Sequence, residues 1–503
     1  MPRSRRRARP SGGLSRRIPR RQHMGDTLKL RMLSSEQVGT MREKCLDLLA
    51  TMGMRIDHDG ALGILAEAGA DVDRETHVVK FPAELVESAV KTVPEELVVK
   101  GADPRHDLPI PHPDGLFYTS TNVQSMLHHD VETKRFEDNS VARYAEWCQM
   151  IEVLQHTDIC AIQTPMDVPA ESAEVHALNI QMQNTTKPLW MHAFSREAVP
   201  FMFELMVARM GSVEGLREQS VAIINPGTVS PFIMKAMDAE EIIQACHHGV
   251  PISSDGHVMT GFTSPMTVAG SAVQNCAETL AHVVLCQVVK PGHPIMMTQF
   301  NCPGDMATGF STLATPIANV QRAVGQQLTS EGFGIRVSGC PIMTDTYVSD
   351  GRAVAEKALG ALLCALAGID IAYGVGRLGG ASLASPAQLI IDDQVVAVVK
   401  EYVRGIQVND EFLATDEILA MGIGGSLVQS KHTLKHCRDY VEPSLFRFQL
   451  QQQWEAEGEK DLYERAVDEY RRLKSVIKPV DLPDDVRRDM DAVVARADKA
   501  LCP

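Results

Sequence analysis

Between residues 116 and 376 the chain alternates short, nearly continuous apolar runs with helix-length mixed segments. The runs fall at 116–121, 159–163, 189–194, 221–225, 252–255, 295–300, 335–339 and 371–375. Strand-like runs about 30–40 residues apart, each followed by enough chain for one helix, predict parallel βα units. Eight such units suit an α/β fold of the (β/α)8 TIM-type barrel class. An open doubly wound sheet is the competing arrangement. It would place a GxGxxG turn after its first strand, whereas the nearest approach, GVGRLGG at 374–380, comes late and in another pattern.

The flanks have a different texture. Ser34 and Gln37 form a capping-box pattern, and Val38, Met41, Cys45, Leu48, Leu49 and Met52 follow at helical spacing. Two shorter helices are expected on either side of a strand-like 77–81, with Pro82 suited to a first helical position. Segments 443–476 and 483–500 read as exposed amphipathic helices. The expected organisation is a basic disordered extension (1–26), an N-terminal helical and mixed cap (27–115), the barrel (116–400) and a C-terminal helical region (401–503).

Composition narrows the function classes. The chain is 44% hydrophobic and 22% charged, which supports a large buried core. Net charge is −15, yet residues 1–23 hold nine arginines and no acid, leaving about −24 from Met24 onward. A body that acidic repels nucleic acid and anionic membrane surfaces. The uncharged apolar run at 358–369 is shorter than the ~18–20 residues a membrane span requires. Eleven scattered cysteines without a CxxC pair read as reduced thiols, and the expected location is cytoplasmic. The Arg-rich start lacks the apolar stretch of a secretory signal. It reads as a disordered or upstream-extended start with Met24 as initiator, or alternatively as a transit peptide.

In a barrel the chemistry sits at the C-terminal ends of the strands. The residues at or beyond the expected ends include the aromatics Tyr118, Trp190, Phe194, Phe300, Tyr347 and Tyr373, the amides Asn225 and Asn301, and His192, Asp255 and His257. No His-x-His occurs, and Asp255-Gly-His257 offers two ligands without an evident third, so no metal is expected. There is no GxSxG elbow and no P-loop, and Cys302 and Cys340 read as buried thiols. The aromatic rings have two readings. They fill the barrel, or they wall a pocket for a quaternary ammonium, which donates no hydrogen bond and is recognised by ring faces.

The wording of several stretches is more specific. LSSEQVGTMREKCLDLLATMGMRIDH at the start, NTTKPLWMHAF (184–194), GFTSPMTVAGSAVQNCAETLAHVVLCQVVKPGHPI (261–295), TDTYVSDGRAVAEKALGALLCALAGIDIAYGVG (344–376) and LVQSKHTLKHCR (427–438) resemble, in order, the trimethylamine methyltransferase family. Its members are corrinoid-dependent enzymes of one-carbon metabolism that demethylate methylated amines. The resemblance implies a (β/α)8 barrel.

Founding members carry pyrrolysine in the loop matching TDTYVSD, at Val348 or its neighbour Tyr347, where this chain has an ordinary residue. Relatives without pyrrolysine resemble enzymes for quaternary amines such as glycine betaine, proline betaine or carnitine. The implied activity is transfer of a methyl group from such an amine to the Co(I) of a separate corrinoid protein. The implied cofactor is therefore a corrinoid carried by that partner, with none bound tightly here, and the chain has no DxHxxG motif. A substrate carboxylate would need a donor among His192, His257, Asn225, Asn301 or Arg377, the last equally suited to an ion pair. The alternatives are a catalytically silent betaine-binding relative and a metal-dependent lyase or hydrolase using Asp255, His257 and His293. A homo-oligomer is compatible with the sequence.

Overall fold

The computed structural model describes residues 30–121, 124–439 and 443–502, so the basic extension 1–26 lies outside the described residues. Eight strands form one parallel sheet: β1 (Tyr118–Thr121), β2 (Cys160–Ala161), β3 (Leu189–Met191), β4 (Ala222–Ile224), β5 (Ile252–Thr260), β6 (Ile295–Pro303), β7 (Val337–Gly339) and β8 (Ile371–Val375). Their order is β1-β8-β7-β6-β5-β4-β3-β2, and Ser120 of β1 bridges in parallel to Ile159 beside β2. The sheet therefore closes, and the open doubly wound alternative is excluded. Each strand is followed by a helix on the outside: α1 (Val141–Val153), α2 (Ala173–Asn184), α3 (Val199–Met210), α4 (Ala236–His248), α5 (Val268–Val289), α6 (Pro316–Phe333), α7 (Gly351–Leu366) and α8 (Pro386–Val403).

The pleat sorts side chains between the lumen and the helical layer, because successive residues of a strand face opposite sides. Ser253, Thr298 and Ser338 meet inside the barrel, with hydroxyls 2.7–2.9 Å apart. Their neighbours turn outward: Ser254 reaches His282 of α5 at 3.0 Å, and the Gln299 carboxamide donates to Thr329 of α6 at 2.9 Å. A hairpin of Leu97–Val99 and Leu108–Ile110 closes the N-terminal end of the barrel, sharing one apolar cluster with Tyr118, Met296 and Ile371.

The cap follows the expected pattern. Helix Ser35–Thr51 carries the Ser34/Gln37 capping box, and Val38, Met41, Cys45, Leu46 and Leu49 form its buried stripe. Pro82 takes the N-cap of Ala83–Thr92, one place before the expected position. The C-terminal helices differ from expectation. Segment 443–476 is broken into Ser444–Phe446, Gln451–Ala456 and Leu462–Lys474. Neither Leu462–Lys474 nor the last helix, Asp484–Leu501, is wholly exposed. The first buries Ala466, Val467, Tyr470 and Leu473, and the second Met490, Val493, Val494 and Ala497, because an amphipathic stripe is removed from water wherever a barrel helix offers an apolar face. No helix among the described residues is long and apolar enough to cross a membrane.

Three enclosed imidazoles contribute to the pH dependence of stability. Burial pushes His282 down to about 3 and His293 to about 4, and burial with the nearby Arg143 does the same for His128. In the unfolded chain each titrates near ~6.5, so between that pH and ~4 the unfolded state takes up protons that the folded state refuses. Their contribution to stability is complete above ~6.5 and is lost as pH falls. His282→Gln keeps a polar partner for Ser254 and removes the titration. Urea unfolding between pH 6.5 and 4.5 should then decline less steeply than in the parent, by about 1.4 kcal/mol per pH unit. Equal slopes would show that His282 takes up its proton without unfolding.

Candidate active site at the mouth of the barrel

A cavity of about 280 Å³ opens at the C-terminal ends of the strands, lined by Thr121, Gln124, Trp190, Asn225, Asp255, His257, Phe300, Tyr373 and the Gly380–Ala381–Ser382 turn. Three aromatic side chains build its wall. The Trp190 and Tyr373 rings are 5.5 Å apart at 52°, and Phe300 lies parallel to Tyr373 at 6.4 Å. The imidazole of His257 meets Phe300 edge-on at 4.8 Å. Trp190 and Tyr373 are 2% and 5% exposed, so the rings are fixed before any ligand arrives.

Among these rings sits one carboxylate. Asp255 and His257 are two residues apart on β5 and so share the lumen face. Their side chains are 3.3 Å apart, Oδ2 to Nε2, with Asp255 enclosed and His257 about half exposed. Asp255 Oδ1 has no hydrogen-bond partner among the described residues, and burial holds its carboxyl above the usual range against the pull of His257 and His192. Asn225 is anchored by donating to Ser253 O at 2.7 Å.

The end of β8 is shaped to present Tyr373. The register of β8 against β1 shifts between Tyr373 and Val375, and Gly374 between them adopts φ +117° with its α-carbon against Ile342 O. A Cβ there would come within 2.4 Å of that oxygen, which only glycine avoids. A fully buried ion pair secures the bulge. Lys357 of α7 donates to Gly374 O at 3.0 Å and to Asp392 of α8 at 2.6 Å, and Asp392 also accepts from Gly376 N–H at 2.7 Å.

A second cavity of about 360 Å³ adjoins the first through the shared residues Gln124, Asn225 and His257. His192, Thr228, Ser230, Lys235 and Asp238 lie on its wall. Glu278 of α5 accepts from Thr228 Oγ1 at 2.8 Å, Ser230 Oγ at 2.6 Å and Phe232 N–H at 3.2 Å, which orders the loop after β4. Burial opposes a charge on His192, but Glu241, Asp238 and Asp255 outweigh it and raise its pKa to about 9. Burial and Glu241 push Asp238 up to about 6, with His192 pulling the other way.

Exposed apolar side chains ring the mouth. Met126 and Phe136 stand on the loops after β1, Met166 after β2, Val229 after β4, Phe262 and Met266 after β5, Met306 and Phe310 after β6, and Tyr347 and Val348 after β7. Together they make an apolar collar contributed by separate loops, unlike the singly scattered apolar side chains of an ordinary surface.

Of the residues singled out from sequence, Trp190, Asn225, Asp255, His257, Phe300 and Tyr373 meet in the first cavity, and His192 in the second. Tyr118, Asn301, Phe194, Arg377, Tyr347 and Val348 line neither. Tyr118 opens β1 and so lies at the closed end, its ring 4.7 Å from His112. Asn301 follows Phe300 on β6, faces the helices and accepts from Ser271 at 3.4 Å. Phe194 packs on His192 while its N–H is held by Glu174. Arg377 is fully enclosed beyond the β8 bulge, and burial lowers its guanidinium to about 9. Tyr347 lies on the rim, half exposed beside Phe136 and over Gly379, with the equally exposed Val348 next to it. Sequence reasoning missed Thr121, Gln124, the 380–382 turn, Lys235, Asp238 and Glu241. The only signal for the turn was the paired glycine of GVGRLGG, where Gly379 and Gly380 both take positive φ.

Comparison with known proteins gives a consistent result. A family model described as trimethylamine methyltransferase matches residues 2–502. A trimethylamine methyltransferase of Desulfitobacterium hafniense is 27% identical over 92% of this chain and 92% of its own length. One from Methanosarcina acetivorans is 27% identical over 94% and 96%. A glycine betaine methyltransferase of D. hafniense is 21% identical over 95% and 99%. Among solved structures, the monomethylamine methyltransferase of Methanosarcina barkeri superposes with a TM-score of 0.50 at 11% identity, over 88% of this chain and 93% of that one, a likeness of fold.

Proposed function

Because the chain belongs to the trimethylamine methyltransferase family, we propose that it transfers a methyl group from a small quaternary amine of the glycine betaine class to a corrinoid carried by a separate protein. The observation that carries this reading is the meeting of Trp190, Phe300 and Tyr373 with the buried Asp255 carboxylate in one cavity. A quaternary ammonium is held by ring faces, each worth ~0.5–2 kcal/mol, and by a charge it need not hydrogen-bond. The cavity supplies both. The full-length likeness to a glycine betaine methyltransferase and the ordinary residues at Tyr347 and Val348 support the same substrate class.

The transfer breaks one methyl C–N bond. The electron pair stays on nitrogen, which leaves as a neutral tertiary amine, so no proton has to be delivered. A reduced corrinoid supplies the nucleophile. The contribution of this chain is to bind the cation, aim one methyl group outward and keep water from the charge-bearing centre. Trp190, Phe300 and Tyr373 hold the head group, Asp255 balances its charge, and the apolar collar suits a protein docking over the mouth. The names of the relatives also raise trimethylamine as substrate, and a neutral amine would first have to become cationic.

The test mixes the chain with a Co(I)-loaded corrinoid protein and follows loss of the Co(I) absorption band. Conversion with glycine betaine, proline betaine or carnitine supports the proposal. Conversion with trimethylamine alone overturns the substrate class, and no conversion with any of the four, given a competent partner, overturns the activity. Calorimetry should show Trp190→Ala weakening quaternary amine binding by ~1–2 kcal/mol. Tyr118→Phe, at the closed end, should leave the affinity unchanged. Equal effects from both would return Trp190 to a packing role.

A further inference from the structure

On the wall of the second cavity and just behind it lies a set of ligand atoms that the proposed transfer does not use. His192 follows β3 directly, while Asp238 and Glu241 stand three residues apart on α4 and therefore on one helical face. One oxygen of each carboxylate is committed: Asp238 Oδ1 accepts from Gly227 N–H at 2.9 Å, and Glu241 Oε1 from Ala193 N–H at 2.6 Å. The other oxygens, Asp238 Oδ2 and Glu241 Oε2, are without a hydrogen-bond partner among the described residues, as is His192 Nδ1. One ligand atom from each of the three residues lies within 4.8 Å of the others, and both acids are 1% exposed.

Two buried carboxylates lie close together beside one imidazole, with Lys235 on the same cavity wall, and each keeps an oxygen without a hydrogen-bond partner among the described residues, an arrangement that favours a further positive charge. The separation points the same way. His192 Nδ1 and Glu241 Oε2 are 3.5 Å apart, long for a charge-assisted hydrogen bond. Ligand atoms at ~2.0–2.2 Å from a tetrahedral ion are about 3.3–3.6 Å from one another. The backbone N–H groups that hold the second oxygens fix both carboxylates in place, as outer-shell partners of metal ligands do. His192 and Asp238 also line a cavity open at the mouth, which gives an ion a way in and leaves room for a further ligand.

We propose that His192, Asp238 and Glu241 form a binding site for one divalent first-row transition ion, of which Zn2+ is the probe. The proposal stands apart from the methyl-transfer reading, because it concerns residues that do not touch the aromatic cavity. The nitrogen and oxygen donor set is one that Zn2+ accepts and that the softer Cu(I), which prefers sulfur ligands, does not favour. Bound there, the ion would place positive charge in the polar cavity beside the ammonium pocket, where an anionic group of a bound molecule could meet it.

The test uses the full-length chain, stripped with a chelator and dialysed. Zn2+ titration by calorimetry should give one saturable site, and X-ray anomalous diffraction at the zinc edge should place the ion between the three side chains. Asp238→Asn and Glu241→Gln each retain an oxygen for the Gly227 or Ala193 N–H, so the fold is kept. Each should weaken Zn2+ binding by about 10-fold or more, and the double variant should abolish it. Circular dichroism confirms that each variant is folded. No saturable binding to the parent overturns the proposal. So does undiminished binding to the double variant, which would move the ion elsewhere, for instance to the buried group of Cys246, Cys286 and His293.

Discussion

Asp255→Asn is expected to weaken binding of a quaternary amine by about 2–5 kcal/mol, some 30-fold or more, the usual cost of removing one member of a desolvated charge pair. The carboxylate is 3% exposed, and one of its oxygens has no hydrogen-bond partner among the described residues, so the field it casts into the cavity is little screened by water. Asparagine preserves shape and volume, so the loss reports charge and not packing. The control is the neutral carbon isostere of the trimethylammonium head, which should bind parent and variant alike. Calorimetry reads both ligands. If parent and variant bind the cation equally, the pocket recognises its ligand through ring faces and shape, and Asp255 has no part in it.

Lys357→Met is expected to cost about 3–5 kcal/mol of folding stability, because it leaves the Asp392 charge in the interior without its ion-pair partner. Both side chains are 0% exposed and lie 2.6 Å apart, so neither has water to fall back on. The companion variant Lys357→Met/Asp392→Leu removes both charges and should recover much of the loss. It should not recover all of it, since Asp392 also accepts from Gly376 N–H and from Gln388 at 2.7 Å. Urea unfolding of the three proteins gives the comparison. A single variant within 1 kcal/mol of the parent would mean that water or a rearranged carboxyl compensates Asp392. The pair also holds the bulge that presents Tyr373, so quaternary amine affinity should fall in the single variant at temperatures where it is still folded.

The site was legible in sequence to the extent that strand ends were. All eight expected strands exist, and the barrel brings Trp190, Asn225, Asp255, Phe300 and Tyr373 together although they come from five of them. Asp255 and His257 were readable as a pair because a spacing of two places residues on one face of any strand. Phe300 and Asn301 were not separable, since a one-residue choice of register decides which faces the lumen. Tyr118 was misplaced because a run of apolar residues marks a strand without marking which end of it carries a given ring.

By itself, then, the sequence determined the repeated βα unit, the capping of the first cap helix and the family, because periodicity, caps and collinear motifs are local properties of the chain. Only the tertiary structure decided which side chains share a cavity. It buried Arg377 behind the β8 bulge, set Tyr347 on the rim, and brought His192 beside two carboxylates more than forty residues further on. The physical reason is closure. A barrel turns eight separate strand ends into one ring, and contacts across that ring depend on register, bulge and helix packing, none of which is written at any single position.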